Sequence, residues 1–553
     1  MKPIRYTQSM VDEFVRNGYW TNETFYDFYE RNSKELGNRE ALVDSKYRVT
    51  WSEAKKLVDA IATAWVDSGL PKDARVIIQS PNSVYGFLAR IASERAGLIS
   101  LTVYPYLRQK ELEYMVERTE AQMVVIPNVY RKFDYLAMYK ELMAKNPSLK
   151  KIFLFDETVP QDAPDGTRSL VQTAQEYLNK SDEAKLKARR FDPLWEVGLL
   201  TSTTGTTGLP KLVEWPIAPR ICTSKGRIEI WNLNKDDITM AVAPHAGGAA
   251  GTLTYFAAPL AGAKTVMLEE FDPKLALEIM EKEKVTAIGV VPTHLIRMLE
   301  MDVKNYDLSS LRFIRSAGGY LSPQVAEEAE AAFGAAITSD LGTQDVGSVS
   351  GCKVTDPVGL RRRTVGRPLP GNQMRLLDDD GKDVSAGEAG ALWFRGPHAP
   401  AGYFRDPELT AGVFKEDGWT TTGDIVKLDE GCLWIMGRKK DMIIRGGQNI
   451  YPAEIEGMLN DHPAVGAVAV VAMPDKEFGE KTCAYVTPKP GMTFTFKDMT
   501  SFLLEKQIAK YKLPERLEVV EAMPTVGDSG KINKEALKKD IIEKLNAGKA
   551  GSL

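Results

Sequence analysis

The chain has 553 residues, with 71 Lys and Arg against 75 Asp and Glu and a formal net charge of -4. Near-neutrality argues against a dedicated nucleic-acid binder, which concentrates cationic side chains against phosphate. With 43% hydrophobic and 26% charged residues, the composition excludes global disorder and describes a globular chain able to bury large cores. The four histidines (His245, His294, His398, His462) and four cysteines (Cys222, Cys352, Cys432, Cys483) lie far apart, with no CxxC, HxxxH or HExxH spacing. Neither a zinc site built from local pairs nor a disulfide framework is expected, and the cysteines read as reduced cytosolic thiols. No GxSxG elbow, GxxxxGK[ST] loop or GxGxxG turn is present.

The N-terminus, MKPIRYTQSMVDEF, reaches acidic residues too early for a signal peptide, and a cytoplasmic location is expected. Glu53 to Leu70 places Leu57, Val58, Ile61 and Trp65 on one helical face, and Ala74 to Gln79 reads as a short buried strand. The same rhythm continues through MVVIP from Met123, KIFLF from Lys151, KTVML from Lys264, AIGVVP from Ala287 and LRFIRSAGG from Leu311. Helical stretches such as Leu275 to Lys284 separate these runs, the pattern of mostly parallel sheets covered by helices. The uncharged stretch Ala241 to Ala263 contains Pro244, His245 and Pro259 and reads as buried, mobile backbone, so no membrane span is expected.

From about Pro370 strands and tight turns alternate, with a hairpin over Ile425 to Met436 around Asp429-Glu430-Gly431. The charged cluster Arg438 to Asp441 then precedes an apparently separate unit with β and α elements. The predicted fold is α/β: a large N-terminal body with a β-rich subdomain over residues 1–437, and a small mobile α+β domain over 438–553.

TSTTGTTGLPK, Thr201 to Lys211, directly follows the apolar run Val197 to Leu200. A strand delivers the chain into a loop of hydroxyls and glycines whose backbone N–H groups can point inward, and a lysine closes it. Such a loop suits phosphates; a solvated Thr-rich turn is the alternative reading. The segment Thr203 to Lys211 resembles the phosphate loop of the adenylate-forming superfamily, which includes acyl-CoA and aryl-CoA ligases, adenylation domains and luciferases. The resemblance continues over nearly the whole chain.

The resemblance implies that Thr203, Thr204, Gly205, Thr206, Thr207, Gly208 and Lys211 hold ATP phosphates. SAGG, Ser316 to Gly319, corresponds to the family's glycine pair, so Gly318 and Gly319 would lie against adenine and the acyl group. DLGTQD, Asp340 to Asp345, stands where the family has aromatic-Gly-x-Thr-Glu, which makes Asp340, Leu341, Gly342 and Gln344 nucleotide-site residues and Asp345 the magnesium ligand. Leu341, Gln344 and Asp345 depart from the pattern, and a shorter carboxylate can serve magnesium through a water. Asp424, in TTTGD, would bind the ribose hydroxyls and Arg438 would reach the nucleotide. Lys440 occupies the hinge position, Gly446 and Gly447 the thiol passage, and Lys531, in MPTVGDSGKINKEAL, the catalytic lysine.

GEKTCAYV from Gly479 and IAKYKLPERLEVVEAMP from Ile508 are similar to aryl-acid AMP ligases of the 2,3-dihydroxybenzoate type, as are NGYW from Asn17 and VYRKFDYLAM from Val129. Those ligases carry Asn after the pocket histidine, whereas this chain reads His245-Ala246-Gly247-Gly248. His245, Gly247, Gly248 and Gly318 are therefore expected to line an acid pocket; the small residues indicate either a roomier apolar pocket or close backbone packing. The expected activity is ATP- and Mg2+-dependent activation of an aromatic, alicyclic or medium-sized carboxylic acid with CoA as thiol acceptor. A separate carrier protein is the alternative acceptor, a non-catalytic nucleotide-binding relative is the alternative class, and a homodimer is left open.

Overall fold

The computed structural model describes residues 1–203, 210–319, 321–446, 448–525 and 532–550. Two large sheets organise the body. In the first, strands Arg75–Gln79, Ile99–Val103, Met123–Ile126, Lys151–Leu154 and Val197–Ser202 run parallel, and nearly all their side chains are buried. In the second, Glu40–Val43, Lys264–Met267, Ile238–Ala241, Ala287–Val290, Phe313–Ser316 and Ala336–Thr343 are likewise parallel in spatial order. The β-branched runs of the sequence are these strands, and burial on both faces explains why they lack polar alternation.

Helices cover the sheets. The helix Trp51–Asp67 begins at a capping box in which Thr50 accepts from the Glu53 N–H and the Glu53 carboxylate accepts from the Thr50 N–H. Leu57, Val58, Ile61 and Trp65 are all buried on it, as their spacing predicts. The apolar stretch 241–263 is a largely buried helical run: Gly248–Gly251, a π-helical turn Thr252–Ala257, and Ala258–Ala261 ending at Gly262. Among the described residues no helix is long and apolar enough to cross a membrane.

Each parallel sheet continues, at one edge, into an antiparallel hairpin. Val197–Ser202 turns back as Leu212–Pro216, and Ala336–Thr343 turns back as Gly347–Gly351. A four-stranded antiparallel sheet over residues 373–438 includes the hairpin Thr420–Asp429 and Cys432–Arg438, whose turn carries Glu430 and Gly431 at positive φ. Beyond it, a sheet that includes Val465–Asp475 and Gly479–Pro488 packs with helices Pro452–Asn460 and Phe496–Glu505 around Ile450, Ile455, Val470 and Leu503. That core draws only on residues after 442.

One buried ion cluster joins elements of the second sheet. Arg315 grips Asp340 with two bonds, Nε to Oδ2 at 2.7 Å and Nη2 to Oδ1 at 2.9 Å, and Arg227 Nη1 lies 3.2 Å from Oδ2. Burial would raise the Asp340 carboxyl, but Arg227 and Arg315 hold it below its ordinary value. Arg315 also donates to the carbonyls of Gly248, at 2.7 Å, and Ala249. Asp340→Ala leaves two buried guanidiniums without their counter-ion, and a loss of about 3–5 kcal/mol in a denaturant titration is expected. Asp383→Ala, which removes an exposed partner of Arg375, serves as control and leaves the midpoint unchanged.

Candidate active site

The neck of the Thr/Gly loop is closed by its own backbone. Thr203 N–H donates to the Lys211 carbonyl at 3.0 Å, and Lys211 N–H donates to Thr203 Oγ1 at 3.2 Å. The hairpin register, with Ser202 opposite Leu212, sets this closure. Lys211 is exposed, its Nζ 5.2 Å from the Tyr403 ring centroid. Thr204, Gly205, Thr206, Thr207 and Gly208 lie outside the described residues.

The second hairpin brings DLGTQD against this neck. Thr201 Oγ1 accepts from Trp215 Nε1 at 3.1 Å and donates to the Gln344 carbonyl at 3.5 Å. Tyr403 stands in Gly402–Tyr403, which pairs with Leu212–Pro216, and its hydroxyl donates to Asp345 Oδ2 at 3.1 Å. Burial and the Asp345 charge push the phenol pKa upward, so Tyr403 keeps the proton it donates. Leu341 is half-buried against the cluster around Val346 and Phe394, and Gly342 continues the same strand. Asp340 is at the buried end, where its carboxylate is taken up by its two arginines. Gly318 follows Phe313–Ser316 with φ +83°, next to Gly319.

His245 is held by Asn82. The Asn82 amide donates to the carbonyls of Ala241, Ala243 and Leu268 at 3.2, 3.0 and 3.0 Å, which fixes its orientation. Its Oδ1 must then accept, and both the backbone N–H and Nδ1 of His245 lie 2.9 Å away. The proton is therefore on Nδ1, and Nε2 presents a buried lone pair with no hydrogen-bond partner among the described residues. Burial, together with the Arg90 charge, pushes the imidazole down to about 3, so it is neutral near pH 7. Phe87 and Tyr255 flank the ring, with centroids 5.1 and 4.9 Å away.

His245, Gly247 and Gly248 line one cavity with Arg90, Arg220 and Gln344. Gln344 Nε2 donates to the Ala246 carbonyl at 3.4 Å and so ties the cavity to the motif hairpins. Of the two readings that the small residues leave open, the geometry favours close backbone packing. The cavity volume is about 20 Å³, the scale of one water site, and two guanidiniums line it. The small residues serve close backbone packing instead: a Cβ on Gly251 would meet the His245 carbonyl at 2.2 Å, and one on Gly247 the Tyr104 hydroxyl at 2.7 Å. Arg90 and Arg220 were missed by motif reading, although a lone arginine inside VYGFLARIASE, in a helix buried throughout, was a visible anomaly.

In the third hairpin Asp424 stands opposite Arg438, with Arg438 Nε donating to Asp424 Oδ1 at 3.1 Å. Asp424 is buried and follows Gly423 within strand Thr420–Asp429, which TTTG opens. Lys440 lies in the single turn Lys439–Asp441 directly beyond. Gly446 has φ +55° and donates its N–H to the Phe478 carbonyl at 2.8 Å. Gly447 and Lys531 lie outside the described residues. Among the described residues no group of three or more His, Cys, Asp or Glu gathers as a cation cage. A single carboxylate at Asp345 fits magnesium, which takes one or two carboxylates and completes its shell with phosphates and water.

The neck at Thr203 and Lys211, the Asp345 carboxylate and the His245 cavity thus lie together at neighbouring sheet edges. The AMP-binding enzyme family model matches residues 29–404, and the AMP-binding enzyme C-terminal domain model matches 454–531. The chain belongs to the AMP-binding enzyme family. It is 32% identical to a 2,3-dihydroxybenzoate-AMP ligase of Bacillus subtilis, over 98% of this chain and 97% of that one. It is 30% identical to a 2-hydroxy-7-methoxy-5-methyl-1-naphthoate–CoA ligase of Streptomyces carzinostaticus, over 97% and 96%. The fold matches the anthranilate CoA ligase AuaEII in complex with anthranoyl-AMP with a TM-score of 0.84 at 24% identity, covering 95% of this chain and 98% of that one.

The tautomer of His245 is open to direct measurement. Long-range 1H–15N spectra at pH 5 are expected to show it neutral and protonated on Nδ1, where an ordinary histidine, with a pKa near 6.5, is mostly cationic. An imidazolium signal from His245 at that pH contradicts the assignment.

Proposed function

We propose that the protein is an acid–CoA ligase that forms AMP. The observation that carries this reading is the continuous set of contacts from Thr201 through Gln344 to Ala246, which joins the phosphate-loop neck, the Asp345 turn and the His245 cavity. In the first half-reaction a carboxylate oxygen attacks the α-phosphorus of ATP, and the bond to pyrophosphate breaks. In the second, the CoA sulfur attacks the acyl carbon, the bond to the AMP oxygen breaks, and the thiol proton is lost to solvent. No protein nucleophile is needed, so the chain's work is alignment and charge neutralisation.

Thr203 and Lys211, with the residues between them, would hold the β and γ phosphates, and Gly318, Gly319, Leu341 and Gly342 would line the adenine and acyl faces. Asp424 would accept from the ribose hydroxyls and Arg438 would steady the same nucleotide. Asp345 would hold magnesium, whose charge, when bound, offsets that of the phosphates. Lys531 would bridge carboxylate and α-phosphate oxygens, where a compact point charge suits both. Residues 438–553 would rotate about Lys440 relative to 1–437, withdraw Lys531 and admit the thiol beside Gly446 and Gly447.

Free CoA is favoured over a carrier protein because Ala246 replaces the asparagine that aryl-acid AMP ligases carry beside the pocket histidine. Relatives of both kinds match almost the whole chain, an AMP ligase at 32% and a CoA ligase at 30% identity, so the choice rests on residue 246. Acid-dependent ATP–pyrophosphate exchange is expected, falling about 100- to 1,000-fold in Lys531→Ala. Thioester should form with free CoA in the same reaction. Exchange that survives in Lys531→Ala overturns the role of the lysine, and adenylate formation without any CoA thioester overturns the choice of acceptor.

A further inference from the structure

Among the described residues, the arginines buried to nine-tenths or more have carboxylate partners, with two exceptions at the acid cavity. Arg227 and Arg315 share Asp340, Arg95 pairs with Asp59 at 3.3 Å and Glu183 at 2.5 Å, and Arg361 pairs with Glu330. Arg90 and Arg220, only 3% and 8% exposed, have no ion pair among the described residues. Arg90 Nη1 and Arg220 Nε are buried without a hydrogen-bond acceptor, and Arg220 Nη2 has only the neutral Gln344 Oε1, at 3.4 Å. Glu94, one helical turn beyond Arg90, feels the Arg90 charge but makes no ion pair with it; its carboxylate accepts from the Tyr26 N–H at 2.8 Å, and burial pushes its pKa up to about 7.

Aromatic faces hold both guanidiniums in place. Arg90 Cζ lies 4.2 Å from the Phe25 centroid and 4.9 Å from that of Tyr255, while Arg220 Cζ lies 3.6 Å above Trp215. The two cations share Phe256, at 4.7 and 5.0 Å from its centroid. Phe256 belongs to the π-helical turn Thr252–Ala257, an insertion that is frequent at functional sites. Cation–π contacts orient a guanidinium but do not replace an anion, and an uncompensated buried charge costs several kcal/mol. Burial and the neighbouring Arg90 push Arg220 down to about 9, the mark of a like-charge pair in a poorly solvated site.

Building on the acid-activating function proposed above, we infer that Arg90 and Arg220 bind a second carboxylate, so that the substrate is a dicarboxylic acid whose distal group is read by the arginine-lined wall of the cavity. An anion there supplies the missing counter-charge and the acceptors that both guanidiniums lack. Neutral His245 adds no third positive charge, so a single carboxylate placed between the two guanidiniums offsets one of their charges while accepting hydrogen bonds from both. Entry of the acid requires the small cavity to open, and Phe256, half-buried between the arginines, is the side chain placed to move.

The test compares matched acids, benzoate with isophthalate and terephthalate, and hexanoate with adipate, by ATP–pyrophosphate exchange and by calorimetric binding to the full-length protein. The dicarboxylate of at least one pair is expected to have kcat/KM about 100-fold above its monocarboxylate, the scale at which a site built for a polar group rejects an analogue lacking it. Arg90→Met and Arg220→Met should each lower that ratio at least about tenfold. Both should also keep or raise Tm, because each removes a buried charge without a partner; Arg90→Lys and Arg220→Lys repeat the comparison with the charge retained. Monocarboxylates favoured by the wild type, or a ratio untouched by both methionine variants, overturn the inference. A variant Tm far below that of the wild type also overturns it, since it reveals a structural role for the pair. Arginine-dependent dicarboxylate binding without exchange upholds the inference and defeats the adenylation reading instead.

Discussion

The Asp340 carboxylate, enclosed by Arg315 and Arg227, is the contact on which the geometry of the acid cavity depends. It links strand Ala336–Thr343 to strand Phe313–Ser316 and to helix Ile217–Trp231, and Arg315 carries the link on to the carbonyls of Gly248 and Ala249. The backbone that forms one wall of the cavity is thereby fixed to the strand that delivers Gln344 and Asp345. A charge triad of this kind survives burial because both arginines face the same carboxylate and donate further to backbone carbonyls, Arg227 to Ser350 and Arg315 to Gly248 and Ala249. Seven residues before Arg227, on the same helix face, Arg220 reaches the cavity without such a partner. One helix thus carries an arginine paired with Asp340 and, two turns earlier, one without a carboxylate partner among the described residues.

The site has few groups that could act by proton transfer, and this agrees with the chemistry of the family. His245 is locked as a neutral acceptor by Asn82, and Tyr403 is held in its protonated form beside Asp345. All four cysteines are buried and unpaired, with Cys222 and Cys483 pushed up to about 12, so none is a ready thiolate. What remains is a set of fixed charges and dipoles arranged around the junction of two hairpins. Such an arrangement works by orienting a carboxylate and a triphosphate and by offsetting charge as it moves.

Much of this was legible in the sequence. The β-branched runs became parallel strands because burial on both faces leaves a mark that needs no knowledge of partners. The hairpin around Asp429-Glu430-Gly431 followed from its turn residues. The character of the acid cavity was not legible. His245-Ala246-Gly247-Gly248 left two readings open, and only the distances from Gly247 and Gly251 to Tyr104 and His245 decide for close packing. Arg90 and Arg220 lie 130 positions apart in sequence and meet only across Phe256, so their pairing state is a property of the tertiary structure. The same holds for Asp340, whose resemblance to a nucleotide-site motif says nothing of the two guanidiniums that occupy it.

The central claim is that a carboxylate of the substrate attacks the α-phosphorus of ATP. Turnover of an acid labelled with 18O in its carboxylate, followed by mass spectrometry of the products, tests that bond directly. One 18O atom in AMP, and none in pyrophosphate, is the outcome this account requires. Label in inorganic phosphate, with ADP as the nucleotide product, would mean attack at the γ-phosphorus and would contradict it.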